Sequence, residues 1–111
     1  MSGKFECSVG KDGKHRFNLV AGNGQVILTS QGYADAGGCR NGIESVRKHA
    51  ADAAMFEKKT SSDGKFYFAL KAANGQVVGS SQRYASEASC DNGIDSVKRH
   101  AADATVVDAG A

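Results

Sequence analysis

The chain has 111 residues, enough for one ordinary domain and too few for two. Fourteen basic against twelve acidic residues leave a formal charge of +2, too weak a field to make nucleic acid or an anionic membrane an obligatory partner. The three cysteines, Cys7, Cys39 and Cys90, include no C-x-x-C pair, which argues against a disulfide framework, a metal knuckle or a redox motif.

The first residues, Met1-Ser2-Gly3-Lys4-Phe5-Glu6, lack the apolar stretch of a secretion signal. No apolar run approaches the ~20 residues that cross a bilayer. A cytoplasmic protein without a membrane partner is the expectation. A first strand is expected from Phe5 to Val9, turned at Asp12-Gly13 into a second, Lys14-His15-Arg16-Phe17-Asn18-Leu19, which alternates with period two. Asn23-Gly24 then predicts a hairpin with a type I′ turn, which needs positive φ at both central residues. A third strand follows from Gln25 to Ser30.

The period then changes. Cys39, Gly42, Ile43, Val46 and Ala50 fall on one helical stripe, and Asp35 is the preferred N-cap over the competing Asn41-x-x-Glu44. Glu44 and Lys48 stand in (i, i+4) relation on the solvent side. Gly42 would cost about 1 kcal/mol against Ala in a helix interior. Its place on the apolar stripe suggests that it lets helix and sheet approach closely.

From residue 55 the whole pattern begins again at an offset of 51. Asp63-Gly64-Lys65, Phe68-x-Leu70, Asn74-Gly75-Gln76-Val77 and Ser81-Gln82-x-Tyr84-Ala85 repeat their counterparts, as does the run from Cys90 through Ala104. Strands are expected at 56–60, 65–70 and 76–81, and a helix capped by Ser86 with Cys90, Gly93, Ile94, Val97 and Ala101 on its stripe. Asp95 and Arg99 form its (i, i+4) pair. Thr105 to Asp108 aligns with Ala54 to Glu57 and reads as a last strand. The organisation is therefore one domain, 1–111, with repeats 4–54 and 55–105 and a terminal strand at 105–108. One copy of about 50 residues would be marginal alone, and two are too few for a solenoid. The two units are expected to share one core about a pseudo-twofold axis. The fold class is α+β, a tandem duplication of a β3-α(-β) unit, with a single mainly antiparallel sheet and both helices on one face. A monomer is expected, because the duplication supplies the symmetry within one chain.

The string Asn74-Gly75-Gln76-Val77…Ser81-Gln82-x-Tyr84-Ala85…Asn92-Gly93-Ile94-x-Ser96-Val97, with its copy from Asn23 through Val46, resembles the signature of the YegP-like family of small bacterial proteins. The resemblance covers nearly the whole chain. It implies a shared sheet in which the C-terminal strand of each unit is exchanged into the other. It implies no activity, ligand or catalytic residue. His15 against Phe66, Leu28 against Gly79 and Cys7 against Lys58 are local departures between the copies.

Few residues could carry chemistry. Cys39 and Cys90 read as small buried hydrophobes, and whether they lie close enough to react is left open. Ser45 with His49, and Ser96 with His100, lie one helical turn apart and could form nucleophile–base dyads, but no orienting carboxylate or oxyanion pocket is evident. Those histidines read as solvated residues at helix ends. Gly22-x-Gly24 leads into a strand rather than a helix N-terminus and is not a nucleotide loop, and Gly37-Gly38 reads as a tight helix entry. No catalytic residue, metal ligand or cofactor is assigned.

The candidate interaction surface is the wet sheet face with Lys14, Arg16, Lys65, Tyr67 and Lys71, together with Tyr33 and Tyr84 where strand gives way to helix. A basic face with a stacking ring suits weak binding of single-stranded nucleic acid, against which stand Glu6, Asp12, Glu57 and Asp63. The leading expectation is a non-enzymatic domain that binds a protein or small ligand through the open sheet face or an edge groove.

Overall fold

The structure, a computed structural model, describes residues 3–73 and 75–110, with the backbone alone at 53 and 108–110. Its strands are β1 (Lys4–Val9), β2 (His15–Val20), β3 (Val26–Ser30), β4 (Phe56–Thr60), β5 (Phe66–Lys71), β6 (Val77–Ser80) and β7 (Thr105–Gly110). The helices are α1 (Ala36–His49) and α2 (Glu87–Ala101), and a 3-10 turn at Ala53–Met55 joins α1 to β4. The strands form one seven-stranded sheet in the order β4-β5-β6-β3-β2-β1-β7. Five of the pairings are antiparallel and one, β1 with β7, is parallel.

The two repeats meet at β3 and β6, where Thr29 pairs with Ser80 and Ser30 with Gly79. Thr29 and Ser80 hold the same place in their repeats, so the pseudo-twofold axis passes through that pair. The difference between Leu28 and Gly79 has its reason here. A Cβ on Gly79 would lie 2.9 Å from the Thr29 carbonyl oxygen and 3.2 Å from Leu28 Cγ. One leucine, fully buried, fills space beside the axis that two could not share.

Phe5, Phe17, Leu19 and Leu28 join Phe68 and Leu70 on one sheet face, where they bury Cys39, Ile43 and Val46 of α1 with Cys90 and Val97 of α2 in a single cluster. Both helices therefore cover the same face, as the stripes require. Each also crosses the seam: α1 packs on β5 and β6 as well as β2, and α2 on β2 and β3 as well as β5. A bulge between Leu19 and Val20 leaves Ile27 unpaired, and one between Leu70 and Lys71 does the same for Val78. Both extra residues are buried. Strict alternation could not have placed them, because a bulge breaks the period.

The hairpins differ from the expected type I′ turns. Gly24 has φ +88°, and no non-glycine residue among those described has positive φ. Gly24 N–H donates to the Ala21 carbonyl and Ala21 N–H to the Gln25 carbonyl, both near 2.9 Å, which closes a three-residue loop with glycine at its left-handed position. The loops at Gly13, Gly64 and Gly75 repeat this pattern. Asn23 and Asp12 contribute by accepting, at 3.0 Å, from the N–H of the residue after the glycine. Asn74 lies outside the described residues.

The helix starts fall where the earlier caps put them. Asp35 accepts from Gly38 N–H at 2.7 Å and Ser86 from Ser89 N–H at 3.1 Å. Asp95 pairs with Arg99, but Glu44 pairs with Arg47 at 3.3 Å rather than with Lys48. Arg47 is the better partner because its guanidinium is held over the Phe5 ring, 5.5 Å from the centroid, on the flank facing β7. The terminal strand is exchanged as the resemblance implies: β7 follows α2 yet pairs with β1, Val106 opposite Phe5. The strand after α1 is β4, which opens the second repeat and pairs with β5. Although 105–108 aligns with 54–57 in sequence, β4 takes the place of β1. No strand among the described residues takes the place of β7 beyond β4.

Gly42 and Gly93 do allow close approach, and chiefly to a tyrosine. A Cβ on Gly42 would collide with the Tyr33 hydroxyl and lie 3.0 Å from Phe17; Gly93 stands in the same relation to Tyr84 and Phe68. Substituting Gly42→Ala gains about 1 kcal/mol of helix propensity but forces the ring aside at a cost of about 1–3 kcal/mol. A net loss of stability, read as a lower urea midpoint, is expected for Gly42→Ala and again for Gly93→Ala. An unchanged midpoint would mean that the rings move freely.

Candidate functional site

The sheet face away from the helices carries Arg16 and Lys71, with Lys14 and Lys65 just outside the strand ends. Its cations are largely matched by acids on the same face. Arg16 pairs with Asp12 at 2.8 Å, Lys71 and Lys59 with Glu57 at 2.9 and 3.2 Å, and Lys4 with Glu6 at 3.1 Å. The Arg16 guanidinium holds the Asp12 carboxyl down at about 2, and Lys71, then Lys59, hold Glu57 below its usual value. Lys14 and Lys65 make no ion pair among the described residues. β2 and β5 are separated by two strands, roughly 14 Å at ~4.8 Å per step. They also run in opposite directions, so the duplicated lysines stand at opposite ends of the sheet. The structure does not gather Lys14, Arg16, Lys65, Tyr67 and Lys71 into one basic platform.

Tyr33 and Tyr84 belong to the other face. Each closes a backbone bridge, Tyr33 with His15 and Tyr84 with Phe66. Their rings stack on Phe17 and Phe68, centroids 6.4 Å apart in both repeats. Burial, opposed by a hydrogen bond from the neighbouring glutamine, pushes both hydroxyls up. The repeated Ser-Gln before each tyrosine is part of the same device. Ser30 Oγ accepts from Phe17 N–H at 2.9 Å and donates to the Gln31 carbonyl at 2.8 Å, and Ser81 does likewise with Phe68 and Gln82. These motifs position core aromatics rather than a ligand.

Ser45 and His49 do meet, Oγ to Nδ1 at 3.2 Å, as do Ser96 and His100. The same Nδ1 lies 2.8 Å from the serine's own backbone carbonyl, which can only accept, so Nδ1 carries the proton. Nε2 is then the acceptor, and it takes an N–H from the other repeat at 3.3 Å: Ala73 for His49, Gly22 for His100. With Nδ1 donating to the backbone, the imidazole cannot take the serine's proton. The helix-end position suggested solvated histidines, but each instead ties its helix end to the opposite hairpin. Only packing of the two repeats could reveal that contact. Cys39 and Cys90 are buried and unbridged, and burial pushes the Cys90 thiol up. Among the described residues no three potential ligands gather as a metal site, and no helix is long and apolar enough to cross a membrane.

One feature differs in burial between the repeats. Phe5 and Ile43, beside β7, are 0% and 1% exposed, whereas their equivalents Phe56 and Ile94 are only partly buried. Between α2 and the outer side of β4 these two residues, with Lys58, Asp91, Asp95 and Lys98, line a shallow groove of about 350 Å³. Lys58 donates to Asp91 at 2.9 Å and to Glu87 at 3.1 Å, which hold its ammonium above the usual range. Sequence reasoning missed this groove because Phe56 and Ile94 read as core, like their twins.

The architecture defines a tandem-repeat α+β protein whose sheet is built from two copies of one unit. A family model described as "Domain of unknown function (DUF1508)" matches twice, at 11–57 and 61–108. A UPF0339 protein encoded in the ptx operon 5′ region of Stutzerimonas stutzeri is 60% identical over 110 residues, 99% of each chain. The UPF0339 protein YegP of Escherichia coli K12 is 50% identical over 108 residues, 97% of this chain and 98% of that one. The solution structure of E. coli yegP, described as a protein of unknown function, superposes with a TM-score of 0.94 at 49% identity, covering 99% and 95% of the two chains. That of a UPF0339 protein from Shewanella oneidensis gives 0.92 at 44%, covering 99% and 93%. The chain belongs to this YegP-like UPF0339 family.

Two outcomes follow from these contacts. The Asp12 carboxyl should titrate near 2 by NMR rather than at 3.8, and return toward 3.8 in Arg16→Ala. Because its folded value is depressed, the stability it contributes is full above 3.8 and disappears as pH falls through about 2. Replacing His100→Ala should cost about 0.5–1.5 kcal/mol and speed hydrogen exchange at the Gly22 amide; unchanged exchange there would remove the cross-repeat bond.

Proposed function

We propose that the protein is a non-enzymatic binding domain, one unit over 1–111, monomeric and cytoplasmic, whose working surface is the groove between α2 and β4. The observation that carries this reading is the incomplete burial of Phe56 and Ile94 at positions whose equivalents are sealed by β7. Burying an apolar side chain from water is worth roughly 1.5–3 kcal/mol, so two partly uncovered ones beside the outer edge of β4 favour a partner. The pinned histidines speak against hydrolysis at Ser45 or Ser96, and the ion-paired sheet face against nucleic acid. Neither face nor groove holds a cofactor in this reading.

A photo-crosslinking residue at Asp95 in the groove, compared with one at Thr29 on the open face, tests it in cells. A protein adduct at position 95 and none at 29 is expected, and the purified partner should bind Ile94→Lys at least tenfold more weakly. Adducts at 29 alone, or a partner indifferent to Ile94→Lys, would move the function to the open face.

A further inference from the structure

The strand that pairs beside the equivalent groove of the first repeat identifies what this one takes. On the first repeat the position between α1 and β1 is covered by β7, which runs parallel to β1 with Thr105, Val106, Val107 and Asp108 opposite Lys4, Phe5, Glu6 and Cys7. Val106, 44% exposed, faces α1 across a shallow groove of about 400 Å³ that it lines with Ile43 and Arg47. Arg47 fixes the chain there by donating to the Ala104 carbonyl at 2.7 Å. On the second repeat Phe56, Ile94 and Lys98 stand in for Phe5, Ile43 and Arg47, and among the described residues no strand pairs with the outer edge of β4. An apolar groove beside an open strand edge is the setting in which extended peptides add to sheets.

We infer that β4 accepts an extended segment of another protein as an eighth strand, parallel to β4, with a β-branched apolar residue opposite Phe56 and against Ile94. This rests on the groove reading above and adds the occupant to it. The segment resembles β7 in pattern, with a residue like Val106, opposite Phe5, as the apolar one on the helix side. Lys58, which would face the residue two places further on, is already paired with Glu87 and Asp91, so that place calls for no added charge. A second copy is a poor occupant. Two β4 edges paired about Lys58 would oppose like ammonium groups, a common safeguard of exposed edges, and β7 is already engaged on β1.

The test titrates the full chain with a nine-residue peptide of the sequence of residues 102–110, followed by amide shifts. Saturable shifts confined to Phe56–Thr60 and 91–98, with Kd below about 1 mM, are expected. New cross-strand contacts should show the peptide parallel to β4. Binding should weaken at least tenfold for Ile94→Lys, and for a peptide with aspartate at the first valine, which keeps the test sound whatever Ile94→Lys does to folding. No saturable shift, an antiparallel peptide, or shifts at β1 overturn the proposal, as would dilution-dependent shifts at β4 without peptide, which would name a second copy. A groove adduct in the crosslinking experiment alongside a silent titration would defeat strand addition while leaving the groove as the binding surface. Absence of the groove adduct would defeat both.

Discussion

The structure depends on a narrow seam. β3 and β6 share only Thr29 with Ser80 and Ser30 with Gly79, and two backbone pairs would not hold two sheets together. What makes the seam secure is the apolar layer beneath it. Leu28 fills the space at the axis, and each helix lies across both repeats, so neither half can bury its stripe without the other. Hydrophobic burial is non-directional and scales with the area removed from water. It therefore rewards the joined sheet even where the strand ladder is short. The crossed contacts of His49 with Ala73 and His100 with Gly22 add direction to that association at the two ends of the molecule.

Duplication also brings a constraint. Two identical units about an axis leave either two equivalent edges or a chain end that breaks the equivalence. Here the segment joining the repeats is consumed as β4, and among the described residues the strand left over is β7. It can cover one edge, and it covers β1. The consequence is read in side chains: Phe5 and Ile43 become core, while Phe56 and Ile94 stay half-wet. Lys58 replaces Cys7 on the uncovered side and is held by Glu87 and Asp91, a charged edge where the covered side has a thiol. The binding surface proposed for this protein is thus a by-product of how symmetry and connectivity fail to match.

Much was legible from residues alone. The 51-residue offset, the glycines and Asx residues of the turns, the Asp35 and Ser86 caps and the two helical stripes each report local chemistry, which acts over a few residues and repeats wherever the residues do. The sequence could not show how the turns close, since Asn-Gly serves either a two-residue or a three-residue loop, and the strand register selects the latter. Nor could it show the bulges at Ile27 and Val78, because a run of apolar residues hides an inserted one. Gly42 was correctly placed against the sheet side, but its partner, the Tyr33 ring, came from a segment whose path only packing determines.

Residue order by itself determined that there are two units, what each is made of, and that they must share an interior, because each carries one apolar face too small to be stable alone. Tertiary structure decided which copy of each repeated residue is buried and which is not. Identical side chains such as Phe5 and Phe56 carry identical local information. They part only because a single terminal strand can pair with one edge, and that choice is made by the path of the chain through space.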